Sequence, residues 1–259
     1  MPTWPYPFWI AHRGAGTLAP ENTRAAIREG ARHGFRMCEF DVRCARDGMP
    51  FLLHDPTLDR TTDGRGPVEA LDWPALAERV AGRWHSPAYA GEPIPTLAEV
   101  AAICRELGLC CNVEIKTGPG DAERSGALIA RAASSLWRSV EPPPLLSSFD
   151  PLALAAAMQA APELPRALLV NAPAPGWLER IASLRCVSLH VSHRHVDGDL
   201  IEAAHAAGCR VLAYTVNDEA SAGRLIDAGI DGLFTDALQR LGPMAAVNRR
   251  RPVRPDSAR

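Results

Sequence analysis

Two carboxylates one residue apart, Glu39 and Asp41, interrupt the apolar run CEFDVR, and a third, Glu114, interrupts the run CNVEIK. If both runs are strands, side chains alternate between faces. Glu39, Asp41 and Arg43 then share one face, with Cys38, Phe40 and Val42 on the other. Asn112, Glu114 and Lys116 likewise oppose Cys111, Val113 and Ile115. Three carboxylates converging in a low-dielectric site repel one another and take up protons unless positive charge balances them. One hard divalent cation, Mg2+ or Ca2+, meets that need, since either ion takes carboxylate oxygens and leaves positions for water or a phosphate oxygen. The competing reading is a buried ion-pair network in which Arg13, Arg43 and Lys116 neutralise the acids.

Two histidines belong to the same neighbourhood. His12 ends the apolar run FWIAHR, and His54 precedes Asp55 in FLLHD. A pair of imidazoles can act as general acid and general base near neutral pH. Arg13 and Lys116 add positive charge suited to a phosphoryl group. The Asp47-Gly48 pair predicts a two-residue hairpin, which would set Asp41 opposite His54 and Arg43 opposite Leu52. The segment HVSHRH offers His190, His193 and His195, but their spacing is irregular and no carboxylate accompanies them, which argues against a second metal site.

The elements that must position these groups alternate from end to end. Strands are expected over 8–13, 38–43, 111–116, 145–149, 166–170, 186–192, 210–216 and 232–236. Helices are expected over 22–33, 96–107, 121–137, 151–160, 176–184, 198–207, 218–228 and 237–246. Thr96 and Glu99 form a capping box, and Asn217 is placed to cap DEASAGRLIDAG, which ends on a glycine suited to a left-handed residue. Eight strand-helix pairs in a chain of this length have the rhythm of a (β/α)8 TIM barrel, an α/β fold. A doubly wound sheet is the alternative, but no glycine fingerprint follows the first strand. Residues 44–95 break the rhythm and read as an insertion after the second strand: a hairpin, then a cap over one barrel end with a short helix near 74–82.

Bulk composition narrows the function classes. The 259 residues are 47% hydrophobic and 22% charged, with a formal net charge of -2. This suits one globular domain over 1–248 and offers no global attraction to nucleic acid or an anionic membrane. The tail RRRPVRPDSAR, 249–259, reads as basic and disordered. Seven cysteines, an odd number, do not make a disulfide framework. Most of them read as small buried apolar residues. With no signal-like start and no long apolar run, a cytoplasmic protein without stable membrane association is expected. Nothing in the sequence specifies an oligomeric state.

The motifs AHRGAGTLAPENT, CEFDV and LLHD, followed by NVEIK, LLSSFDP, AYTVND and GIDGLFTD, resemble the glycerophosphodiester phosphodiesterase family, cytosolic bacterial type, over nearly the whole chain. The resemblance implies a TIM barrel with an insertion after the second strand, and a small-molecule glycerophosphodiester cleaved to sn-glycerol 3-phosphate and an alcohol. It implies Glu39, Asp41 and Glu114 as ligands of one divalent cation, Mg2+ or Ca2+, and His12 and His54 in acid-base roles. It implies that Arg13, Glu21 and Lys116 complete the polar site; Phe149 and Tyr214 read either as the substrate-side wall of its mouth or as barrel packing. Tyr214 stands where many members carry tryptophan. Two other activities fit parts of the pattern: a barrel phospholipase cleaving phosphatidylinositol or a lysophospholipid, and a Schiff-base lyase using Lys116.

Overall fold

The computed structural model describes residues 4–244. Eight parallel strands close a barrel: β1 (Trp9–Ala11), β2 (Met37–Cys44), β4 (Cys110–Ile115), β5 (Leu145–Ser148), β6 (Arg166–Val170), β7 (Cys186–Ser192), β8 (Arg210–Tyr214) and β9 (Gly232–Thr235). Pairing of β1 with both β2 and β9 completes the ring. A ninth strand, β3 (Pro50–Leu52), adds antiparallel to the end of β2. The chain is thus a TIM barrel whose eight strands all fall where the alternating pattern predicts them.

Helices α1 (Arg24–Arg32), α3 (Leu97–Leu107), α4 (Ala122–Leu136), α5 (Pro151–Ala160), α6 (Trp177–Ser183), α7 (Gly198–Ala206) and α8 (Glu219–Asp227) surround the ring. The capping box of Thr96 and Glu99 starts α3, and Thr23 caps α1 by accepting from the Ala26 amide. Gly229 follows α8 at φ 90°, as its C-terminal glycine predicts. The cap of α8 is Asp218 rather than Asn217: Asp218 accepts from the Ser221 amide, and Asn217 is turned inward to Asp236. The helix expected over 237–246 does not form. Residues 237–241 make a single turn, in which the amides of Arg240 and Leu241 donate to the Ala237 carbonyl, and Gly242-Pro243 does not extend it. Residues 245–246, and the tail 249–259, lie outside the described residues.

Strand alternation sorts the side chains into two layers. Phe40, Val42, Cys111 and Val113 point outward beneath the helices. Inside, Ile10, Met37, Leu145, Ala167, Leu212 and Phe234 build an apolar floor with Tyr6. The next inward positions toward the C-terminal ends of the strands are His12, Glu39, Asp41, Glu114 and Tyr214, so the same alternation that packs the floor delivers polar groups above it.

The hairpin differs from its expected register. Val42 pairs with Leu52 and Arg43 with Phe51, so the partners sit one residue away from the predicted alignment. A type I′ turn would need positive φ at both Asp47 and Gly48. Only Gly48, at φ 93°, adopts it. The loop therefore has three residues, Arg46 to Gly48, closed by the Ala45 amide donating to the Met49 carbonyl. Asp47 instead accepts from the amides of Met49 and Trp73, which ties the turn to the insertion. The insertion carries its own small core of Phe51, Leu53, Leu58, Val68, Leu76 and Ile94. Its helix, α2 (Trp73–Ala77), is shorter than expected, since Val80 leaves it to bridge with Pro93. No helix among the described residues is long and apolar enough to cross a membrane.

Candidate active site

Register brings the carboxylates to one level. On the paired strands β2 and β4, Asp41 stands beside Glu114 and Glu39 beside Asn112. One oxygen from each of Glu39, Asp41 and Glu114 lies within 4.8 Å of the others, and all three residues are buried. They line a cavity of about 200 Å³ at the C-terminal end of the barrel together with His12, Arg13, His54, Lys116, Phe149 and Tyr214. Nine of the ten side chains expected to form the site thus share one cavity. Glu21 is the exception: Arg13 and Arg60 take both its oxygens.

The cations present do not neutralise the acids. Lys116 Nζ lies 3.0 Å from Asp41 Oδ1 and also pairs with Glu114, while Arg13 Nε is 3.6 Å from Asp41 Oδ2. Arg43 stands apart from this network. Its guanidinium donates to the carbonyl oxygens of His54 and Thr117. Lys116 and Arg13 thus serve Asp41 and Glu114, and Glu39 is left with the Arg13 amide on Oε2 and the His12 ring, its Nε2 at 3.9 Å. Glu39 Oε1 is buried without a hydrogen-bond partner. Burial and the neighbouring Asp41 charge push the Glu39 pKa up to about 8. Burial also opposes ionisation of Asp41, but Lys116, Arg13 and His54 outweigh it and hold this carboxyl well below its ordinary range. An additional hard cation fits here, because it would supply what the orphaned oxygen lacks.

Each imidazole is oriented by its own aspartate. His12 Nδ1 is 2.6 Å from Asp236 Oδ1, and His54 Nδ1 is 2.7 Å from Asp55 Oδ1. In both rings Nε2 is therefore the nitrogen left for chemistry. The two environments pull the rings apart. For His12, burial favours the neutral ring, but the hydrogen bond to Asp236 and the Glu39 charge prevail and raise its pKa. For His54, burial together with Lys116 and Arg13 outweighs Asp41 and Asp55 and lowers it.

Outer partners hold these groups in place. Asn22, at φ 59°, donates from Nδ2 to Asp41 Oδ2 at 2.8 Å and accepts the Asp41 amide at 2.9 Å. Asn217 Nδ2 donates to Asp236 Oδ2 at 3.0 Å and its Oδ1 accepts the Asp236 amide. Arg60, from the insertion, bridges Asp55 and Glu21, and Glu21 in turn accepts from Arg13. Gly16, at φ 55°, lies so close to Asp236 that a Cβ would fall on that residue's backbone. Only glycine lets the loop after β1 rest on the end of β9, where His12 meets Asp236. Asn22, Asp55, Arg60, Asn217 and Asp236 are the contributors that residue-type reasoning misses, although PENT, LLHD, TVND and LFTD carry all but Arg60.

At the mouth, Phe149 is 48% exposed and meets Tyr214 edge-on at 5.9 Å, with Lys116 Nζ 5.8 Å from the Phe149 ring. Tyr214 Oη donates to the Val170 carbonyl, which fixes the ring against the cavity wall. His190 lines the inner cavity, hydrogen-bonded to Ser188, and burial alone drops its pKa to about 3, so it stays neutral. His193 and His195 sit in a separate short turn after β7 and do not line the cavity.

Comparison with known proteins agrees with this geometry. The glycerophosphoryl diester phosphodiesterase family profile matches residues 12–240. A glycerophosphodiester phosphodiesterase of Caldanaerobacter subterraneus is 32% identical over 231 residues, 88% of this chain and 93% of that protein. A phosphodiesterase of Oleispira antarctica, solved in complex with the product sn-glycerol-3-phosphate, superposes with a TM-score of 0.84 at 36% identity, covering 90% of this chain and 94% of that one. The glycerophosphodiester phosphodiesterase of Agrobacterium tumefaciens gives a TM-score of 0.75 at 27% identity, covering 89% and 97%. The chain belongs to the glycerophosphoryl diester phosphodiesterase family and is an enzyme of that class, a phosphoric diester hydrolase.

Proposed function

We propose that this protein hydrolyses glycerophosphodiesters to sn-glycerol 3-phosphate and an alcohol in a reaction that depends on a divalent cation and on His12 and His54. The reading treats residues 1–248 as one cytoplasmic catalytic domain with residues 44–95 as its cap. One observation carries it: two imidazoles, each with Nδ1 engaged by an aspartate, present Nε2 to a cavity shared with three buried carboxylates. Glu39, Asp41 and Glu114 would hold Mg2+ or Ca2+, which when bound supplies charge to offset that developing on the phosphoryl oxygens. That the Oleispira relative binds sn-glycerol-3-phosphate supports a glycerophosphoryl ligand here too.

The opposed pKa shifts support one assignment of roles. His54, kept neutral, removes the proton of the glycerol 2-hydroxyl as its oxygen attacks phosphorus. His12, kept protonated, donates to the departing alcohol. Opening of the resulting cyclic phosphate by water reverses the two roles. Arg13 and Lys116 orient the phosphoryl oxygens, and Phe149 and Tyr214 flank the alcohol. Lys116 is not a Schiff-base nucleophile in this reading: Asp41 and Glu114 outweigh its burial and raise its pKa, which keeps it an ammonium.

The test is release of glycerol 3-phosphate from glycerophosphocholine, glycerophosphoethanolamine, glycerophosphoglycerol and glycerophosphoinositol, with and without added Mg2+ or Ca2+. Metal-dependent release from at least one diester is expected. Cleavage confined to intact phosphatidylinositol or lysophospholipid would support the phospholipase reading instead.

A further inference from the structure

On the outer face of the same two strands, opposite the carboxylates, three cysteines meet. Cys38 on β2 and Cys111 on β4 are register partners, and Cys104 on α3 packs onto them. Their sulfurs all lie within 4.8 Å of one another, and Cys38 Sγ is 3.8 Å from Cys104 Sγ. None of the three is more than 2% exposed, and all are free thiols in the apolar layer between barrel and helices. Two thiolates about 2.3 Å from one ion at a tetrahedral angle stand roughly 3.8 Å apart, so an ion can enter this triangle with little movement of its frame.

Thiolate ligands select soft ions, and charge decides among them. Three thiolates leave two negative charges around a monovalent ion and one around a divalent ion, but none around a trivalent one. An uncompensated charge in an apolar layer is costly. All three cysteines belong to the buried apolar cluster that fills this layer.

We propose that Cys38, Cys104 and Cys111 form a binding site for a soft trivalent ion of the As(III) type, held as a neutral tris-thiolate on the outer wall of the barrel. With arsenous acid the step balances as As(OH)3 + 3 RSH → As(SR)3 + 3 H2O. Three As–O and three S–H bonds break, three As–S bonds form, each thiol proton leaves in water, and no oxidation state changes. The site is independent of the carboxylate site, since its donors are soft and face the other side of the sheet.

Because the thiols are buried, the full chain is refolded with arsenite under a phosphine reductant, then weighed intact and melted. The expected mass gain is one arsenic less three hydrogens, with a higher Tm than the arsenite-free protein. Cys104→Ala should lose both effects, Cys38→Ala likewise, and Cys44→Ala should keep them. Where a variant fails to fold, a protein with Cys44, Cys110, Cys186 and Cys209 all changed to Ala, which keeps only the three proposed cysteines, must still show the same mass gain. No retained arsenic, a gain matching a two-thiol adduct that keeps one As–OH, or unchanged uptake by a folded Cys104→Ala would overturn the proposal.

Discussion

At the residue scale, the chemistry rests on how one aspartate holds each imidazole. Asp236 and Asp55 accept from Nδ1 of His12 and His54, which fixes the tautomer and ring plane and leaves Nε2 for the substrate. Positioned acid-base groups contribute about 10²–10⁴-fold. His12→Ala and His54→Ala should each lower kcat by about that factor, with circular dichroism and Tm close to the parent; full turnover in either variant would remove the scheme. The pH profile follows from the shift directions. His12, with its pKa raised, keeps its proton at higher pH and loses it as pH climbs through that value, which ends acid catalysis. His54, with its pKa lowered, stays neutral until pH falls through its value, which ends base catalysis. A bell around the ordinary histidine range is expected for kcat/KM. Asp236→Asn removes the main support of His12 protonation, so the alkaline limb should move to lower pH while the acid limb stays in place. An unmoved alkaline limb would assign it to another group.

At the element scale, the hairpin after β2 decides where His54 stands. His54, the second residue beyond β3, reaches the cavity because the loop has three residues and because Arg43 grips the His54 carbonyl through Nε and Nη2. Arg43 follows Glu39 and Asp41 in the alternation, yet its role is to brace backbone rather than to balance charge. Removing a charged donor from buried carbonyls costs about 2–3 kcal/mol. Arg43→Met, which keeps the apolar stem, should lower Tm accordingly and reduce kcat more than it raises KM, since His54 rather than the phosphate contacts is displaced. A single glycine inserted between Asp47 and Gly48 shifts strand register without touching the barrel. Turnover should fall steeply while Tm, read by thermal melt, changes little; retained turnover would show that Arg43 alone sets the position of His54.

At the scale of the whole molecule, the barrel's apolar floor and its outer helical layer carry the folding energy and permit a crowded acidic site above them. Glu39, Asp41 and Glu114 cost stability until positive charge reaches them, so a ligand that binds only the folded state should stabilise it. Titration with Mg2+ or Ca2+ should raise Tm in the wild-type protein, and chelation should lower it and abolish turnover reversibly. Glu39→Gln, which removes the most weakly compensated carboxylate, should shrink that metal-dependent rise. An identical rise in the variant would place the ion elsewhere.

The fold and most of the cavity lining are legible in the amino-acid sequence because they depend on short-range periodicity. Alternation in CEFDVR and CNVEIK sets which side chains face inward, and eight strand-helix repeats leave few ways to bury them other than a closed barrel. The capping box of α3 and the glycine after α8 are equally local. Residues that work across the fold are not legible in this way. Asp236 lies 224 residues from His12 along the chain, and only ring closure between β1 and β9 brings them to 2.6 Å. Asn217 suits a helix cap by sequence, but Asp218 can do that work locally while Asp236 needs a distant partner. Gly242-Pro243 ends the expected last helix through backbone restriction that the apolar pattern outweighs on paper. The hairpin register follows a three-residue loop in which Asp47 does not take the positive φ of a type I′ turn and instead accepts from the Trp73 amide. Sequence by itself therefore determined the barrel and the inward carboxylates, since local alternation dictates them. Tertiary structure decided what orients the histidines, because those partners meet only when the ring closes.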